Sequence, residues 1–258
     1  MKKKLILFDV DGTLYDNANK EIPTSTIEAL RALKQQGHEL AVATGRAYYM
    51  LYSIDAIHDL IDHYILINGQ HIIANGKTIY EDVVPFPLLQ QLVKSMDQRK
   101  ITYGFQSSET EALNHLNLEV IHSFEQLNLN LPKEDPLFHL YHDVFQMWCF
   151  CNPEQALELQ AENPDFTFVK WMHVGYDVIK TGNSKGKGLH QLKDHLGYDI
   201  EDVVAFGDGD NDIEMCQEAG LSIAMGNGTN RLKEVADEVT EPVNQHGIAN
   251  ALKRHHLI

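Results

Sequence analysis

Two groups of carboxylates stand where strands should end. In LILFDVDGTL, residues 5–14, four apolar residues form a run suited to a strand buried on both faces, and Asp9 and Asp11 follow it. In DVVAFGDGDND, residues 202–212, a second apolar run leads into Asp208, Asp210 and Asp212. A single acidic pair after a strand is ordinarily turn or cap chemistry. Two such clusters are different, because in open parallel sheets functional groups collect beyond the carboxyl ends of the strands. Carboxylates converging there repel one another and hold their protons more tightly, and a hard divalent cation relieves the repulsion. An all-oxygen donor set suits Mg²⁺. The positive component is Lys185 in GNSKGKG, residues 182–188, where a helix begins and its N–H groups favour an anion. Thr44 and Gly45, closing HELAVATGR, add a hydroxyl and backbone N–H groups. Carboxylates with a cation, a lysine, a hydroxyl and a helix start together describe a phosphoryl site.

The elements that must carry these residues alternate. IPTSTIEALRALKQQG (22–37) predicts a helix, with Ser25 and Glu28 at capping-box spacing, Ile27, Leu30 and Leu33 on one face, and Gly37 as the stop. HELAVATGR and YILING (64–69) predict short strands with a helix-like stretch between them, the pattern of a doubly wound parallel sheet. HIIANGKTIYE (71–81) predicts a hairpin around Asn75-Gly76. From residue 82 to 180 the alternation stops. PFPLLQQLVKSMDQR and NPEQALELQAEN predict helices, while ITYGFQ, VFQMWCFC and FTFVKWMHVGYDVIK each predict a strand, an α+β module with an antiparallel sheet. Helices at SKGKGLHQLKDHLG, TNRLKEVADEV and GIANALKRHHL, and strands at DVVAF and LSIAMG, return to the first pattern. The expected organisation is an α/β core of residues 1–81 and 181–258 with an inserted α+β domain of residues 82–180.

Composition narrows the partners. A formal net charge of −16 over 258 residues argues against a broad nucleic-acid or anionic-membrane surface. A small phosphorylated molecule remains compatible with it, since one cation reverses the local field in a pocket. No apolar run approaches the roughly 18 residues of a membrane span. The MKKKLILF start resembles a secretory signal, but its apolar run stops after four residues at Asp9. Three cysteines make no disulfide framework, and Cys149 and Cys151 on one face of a strand read as core. A cytoplasmic location is the expectation, with oligomeric state left open. DGDNDI departs from a calcium loop at Ile213 and Ala219, GNSKGKG lacks P-loop spacing, and Trp171, His173, His255 and His256 lack metal-ligand spacing with the carboxylates.

DVDGT at 9–13, Thr44 in ATGR, Lys185 in SKG and GDGDND at 207–212 resemble, in order and spacing, the four motifs of the haloacid dehalogenase (HAD) superfamily. The insertion after the third strand is similar to that of its Cof-type sugar-phosphatase branch, whose members carry a large α/β cap there. The resemblance implies a Mg²⁺-dependent phosphatase of small phosphate monoesters, with the cap setting substrate preference. By the same resemblance, Asp9 is the nucleophile that becomes an aspartyl phosphate, and Asp11 the acid and base. The resemblance further implies that Asp9, the Asp11 backbone carbonyl and Asp208 would hold the metal. Thr44, Gly45, Lys185 and Asn211 would hold the phosphate, and Asp212 would orient metal-bound water or Lys185 from behind. Arg46 would touch substrate or brace its loop, and Asp210 is expected to face solvent. A phosphomutase of the phosphomannomutase kind would use the same acids. A catalytically silent binder of phosphorylated metabolites would be expected to lack Asp9 or Asp11, and both are present.

Overall fold

The computed structural model describes residues 2–127, 129–171 and 174–258. The chain divides into two compact units, one of Met1–Arg46, Leu51–Glu81 and Ser184–Ile258, the other of Ala47–Met50 and Asp82–Asn183.

The first unit is built on an eight-stranded sheet in the spatial order Glu238–Val239, Leu221–Ala224, Val203–Gly207, Leu5–Phe8, Glu39–Ala43, His63–Leu66, His71–Ala74, Lys77–Glu81. The first six strands are mutually parallel, and the last two add antiparallel to the edge as the hairpin expected at Asn75-Gly76. Leu5–Phe8 lies between Val203–Gly207 and Glu39–Ala43, and every one of its residues is buried. Side chains alternate across the sheet, so Leu5 and Leu7 face one way. There they pack with Leu189 and Leu192 of the helix Lys185–Leu196 and with Met215 of Ile213–Glu218. Ile6 and Phe8 take the other face, where Phe8 stacks on Phe206 with ring centroids 5.0 Å apart. Phe8 pairs in register with both Phe206 and Val42. The carboxyl ends of three adjacent strands are therefore level, and whatever follows them in sequence is brought together in space.

Two local expectations are corrected. The helix Thr24–Gln35 starts after Pro23 with no side-chain cap. Ser25 instead meets His246, Oγ to Nδ1 2.8 Å, so the capping-box spacing serves a tertiary contact. The helix-like stretch after Arg46 is a run of 3₁₀ turns, Tyr48–Leu60, broken at Leu51 and Ile54.

The second unit has a six-stranded sheet in the order Phe166–Lys170, Gly175–Lys180, Gln146–Phe150, Thr102–Gln106, Glu111–Leu113, Lys133–Glu134, antiparallel except for its last pair. The helices Phe86–Gln98 and Pro153–Glu162 bury Leu92, Met96 and Leu159 against Tyr103, Phe105, Met147 and Val178 of the sheet. The strand-like stretch FTFVKWMHVGYDVIK holds two strands, Phe166–Lys170 and Gly175–Lys180, paired antiparallel. A third helix, Leu118–Gln126, is capped by Asn117, whose side chain accepts from the Val120 N–H. Cys149 and Cys151 are buried free thiols with Sγ atoms 3.4 Å apart. The architecture is a doubly wound, mostly parallel α/β core interrupted in sequence by an α+β module.

Candidate active site

Level strand ends gather the sequence's acidic clusters. The Asp9 N–H continues the ladder to the Phe206 carbonyl at 3.0 Å, which places Asp9 beside the start of the Asp208 loop. On the other side, Glu39–Ala43 ends at Thr44, whose N–H reaches the Ile65 carbonyl at 2.9 Å. Asp9, Asp208 and Asp212 each offer a carboxylate oxygen, and these oxygens lie within 4.8 Å of one another. Among the described residues this is the one such cluster of His, Cys, Asp or Glu side chains.

Lys185 enters the cluster from the first turn of its helix, capped by the Ser184 hydroxyl, which accepts from the Lys187 N–H at 3.1 Å. The lysine is fully buried, and its Nζ donates to Asp9 Oδ1 and Asp212 Oδ1, both at 2.6 Å. Burial alone would lower its pKa, but the Asp212 and Asp9 carboxylates outweigh burial and hold it above its ordinary value. Asp212 spends its other oxygen on the backbone N–H groups of Asp208 and Gly209, each at 2.9 Å. It thereby fixes both the lysine and the loop that presents Asp208. Asp9 is pushed up to about 7, first by burial and then by the neighbouring Asp212 and Asp11, against the opposing pull of Lys185. Burial and the Asp9 carboxylate raise Asp208 as well. One ammonium group thus bonds two of three crowded carboxylates. Hard oxygen donors with raised proton affinity and a shared focus are a donor set that a divalent cation fits.

Asp11 points elsewhere. Both its oxygens are taken by the buried Arg46, Nε to Oδ2 at 2.7 Å and Nη2 to Oδ1 at 2.6 Å, a bidentate pair. The Arg46 N–H donates to Thr44 Oγ1 at 3.1 Å, so the Thr44–Arg46 loop is tied to itself and to Asp11. Asn211 donates from Nδ2 to Asn68 Oδ1 at 3.2 Å. Asp210, expected to face solvent, is half-buried and accepts from Thr229 Oγ1 at 2.8 Å and Arg231 Nη1 at 2.7 Å. His255 pairs with Glu238 at 2.6 Å, and His173 lies outside the described residues.

Three contributors were not singled out by residue type. Thr13 donates from Oγ1 to Asp208 Oδ1 at 3.2 Å. Gly12 has φ +83°, and a Cβ there would lie 2.3 Å from Asp208 Oδ2, so glycine is needed for the Asp208 carboxylate to approach. Asn68 is the third. Gly12 and Thr13 sit inside the DVDGT stretch, where their place beside the acids was the available signal. Asn68 had none.

Residues 6–252 match the model of the haloacid dehalogenase-like hydrolases. The chain belongs to that family. It is 36% identical to "Putative phosphatase YkrA" of Bacillus subtilis, across 98% of each chain. It is 28% identical to the 5-amino-6-(5-phospho-D-ribitylamino)uracil phosphatase YitU of the same organism, again across 98% of each. Among solved structures, a HAD subclass IIB sugar phosphatase superposes with a TM-score of 0.92 at 29% identity, covering 99% of this chain and 100% of that one. The enzyme class expected from the sequence, a phosphatase of the HAD superfamily, stands with these findings. Among the described residues, no helix is long and apolar enough to cross a membrane.

Proposed function

We propose that this HAD hydrolase is a Mg²⁺-dependent phosphatase of small phosphate monoesters and works through an aspartyl phosphate on Asp9. The observation that carries the reading is the convergence of the Asp9 and Asp208 carboxylates with the buried Lys185 at the ends of adjacent strands. Asp9, Asp208 and the Asp11 backbone carbonyl would hold the Mg²⁺, with Asp212 behind them. When bound, the ion would offset repulsion between a carboxylate nucleophile and an anionic ester and polarise the phosphoryl oxygens.

The chain's own residues divide the reaction into two steps. Asp9 attacks phosphorus, an Asp9–phosphorus bond forms, the ester P–O bond breaks, and the departing alkoxide takes a proton from Asp11. Asp11, now a carboxylate, accepts a proton from the attacking water. The Asp9–phosphorus bond breaks, and inorganic phosphate leaves. Lys185 pulls against protonation of Asp9 and orients it for attack. Thr44, Gly45 and Asn211 receive the phosphoryl oxygens. Since Arg46 holds both oxygens of Asp11 in this structure, Asp11 must turn at least one of them away from the guanidinium and take up a proton from solvent there before it serves the ester as acid.

The substrate class is a phosphorylated sugar or sugar alcohol, a feature that the sugar phosphatase and the ribityl-compound phosphatase have in common by name. The test is inorganic phosphate release from a panel of sugar, sugar-alcohol and cofactor phosphates, with Mg²⁺ and with EDTA, by wild type and Asp9→Asn. Release that needs Mg²⁺ and falls roughly a thousandfold or more in Asp9→Asn is expected, the scale on which loss of a covalent nucleophile is felt. Turnover undiminished in EDTA would remove the metal from the account. Isomerisation of a sugar phosphate without phosphate release would make the enzyme a mutase.

A further inference from the structure

The strand His63–Leu66 runs into three consecutive residues of positive φ: Ile67 at 51°, Asn68 at 52° and Gly69 at 89°. That region is ordinary for glycine and tolerated by asparagine, but it is an outlier for a β-branched residue such as isoleucine. All three residues are buried. A backbone of this kind persists only where its surroundings over-determine it. Here the surroundings are the elements that carry the candidate phosphate ligands.

The Ile67 N–H donates to the Arg46 carbonyl at 3.1 Å and the Asn68 N–H to the Thr44 carbonyl at 3.0 Å, so the turn holds the Thr44–Arg46 loop from below. A Cβ on Gly69 would lie 2.1 Å from the carbonyl oxygen of Ser184, the residue before Lys185. The turn therefore abuts the start of the lysine's helix as well. Its one polar side chain, Asn68, accepts from Asn211 Nδ2 at 3.2 Å.

We propose that Asn68 is a positioning residue of the phosphoryl site: by accepting one amide hydrogen of Asn211 it fixes that carboxamide so that the other is aimed at the substrate's phosphate. The proposal rests on the reading of Asn211 as a phosphate ligand. A carboxamide is nearly symmetric in shape, and without an acceptor behind it the group can flip and present its oxygen to an anion. With its own oxygen turned toward Asn211, Asn68 favours the orientation that leaves the second amide hydrogen for the anion. The left-handed turn is what points the Asn68 side chain at Asn211, while its backbone N–H secures Thr44, so two phosphate-contacting elements share one support.

Asn68→Gly tests this, because glycine keeps the positive φ and removes only the side chain. The dissociation constant of inorganic phosphate, by calorimetry in Mg²⁺ buffer, and kcat and KM for p-nitrophenyl phosphate are measured for wild type, Asn68→Gly, Asn211→Ala and the double variant. Each single change is expected to weaken phosphate binding about tenfold, the scale of one hydrogen bond to a charged group. The double variant should bind no more weakly than Asn211→Ala alone, and KM should move more than kcat. Unchanged phosphate affinity in Asn68→Gly, or two losses that multiply, overturns the proposal. If Asn211→Ala binds phosphate like wild type, Asn211 is no ligand and the proposal falls while phosphatase activity stands. If the wild type neither binds phosphate nor hydrolyses p-nitrophenyl phosphate, both readings fall. Should Asn68→Gly melt far below the wild type, Asn68→Asp, of the same shape with an acceptor retained, replaces it. Asn211→Ala must then cost as much in that background as in wild type, and a smaller cost contradicts the proposal.

Discussion

Individual groups in this molecule are set by burial as much as by their partners. Lys185 has no exposed surface, and an unpaired ammonium there would be prohibitively costly. Two carboxylates at 2.6 Å make it tolerable and lock Asp9 in place. Glu111, in the second unit, shows the same balance with a measurable consequence. Burial lifts its carboxyl from an ordinary 4.5 to about 7, although the Tyr49 hydroxyl, 2.9 Å away, favours the charged form. Between those two values the native protein binds a proton that the unfolded chain has lost. Glu111 therefore makes stability fall as pH rises from about 4.5 to about 7, and its contribution is flat below that window. Urea unfolding of wild type and Glu111→Gln at both ends of the window should show the variant losing less stability with rising pH. Equal pH slopes would contradict this. Legibility at this scale followed chemistry. Asp9, Asp208 and Lys185 were readable because charged residues at strand ends and helix starts demand a reason. Asn68 was not, since an asparagine in a turn is commonplace and its partner Asn211 stands 143 residues away in sequence.

At the scale of elements, the site depends on register. Phe8 pairs with Phe206 and Val42, and the stacked Phe8–Phe206 rings lie directly beneath the acidic loops. Phe206→Ala is expected to cost about 3–5 kcal/mol in chemical unfolding, the usual loss for a buried aromatic. Leu157→Ser, at an exposed site on the helix Pro153–Glu162, should stay within about 0.5 kcal/mol. A comparable loss at both positions would deny the sheet core its special weight. The central parallel strands were legible as apolar runs because burial on both faces leaves no alternation to misread. The strands Glu111–Leu113 and Lys133–Glu134 were not, being too short to show a period. The helix start at Pro23 is masked in the sequence because Ser25 and Glu28 have capping spacing, whereas the fold uses Ser25 to meet His246. Local pattern yields there to a partner that only the folded chain supplies.

For the whole molecule, the long segment of the second unit, Asp82–Asn183, begins and ends at one place. Asp82, its first residue after the hairpin, accepts from Lys180 and, at 2.9 Å, from Asn183 near its last. An insertion closed on itself in this way can be exchanged as a module. Replacing residues 82–183 with the equivalent of a relative, while keeping an acid at the Glu111 position for Tyr49, should re-rank sugar and sugar-alcohol phosphates in kcat/KM. Dependence on Asp9 should be left intact, and an unchanged ranking would place specificity in the α/β core. The break in the alternation of elements marks the α+β module in the sequence, but nothing in residue types alone placed Ala47–Met50 with the second unit. The proposed chemistry requires Asp9 to carry the phosphoryl group. Borohydride added during turnover of a good substrate reduces an aspartyl phosphate to homoserine, and peptide mass spectrometry reads where. Homoserine at position 9, formed only with substrate present, is the expected result. An unmodified Asp9 alongside a modified carboxylate elsewhere would contradict the account.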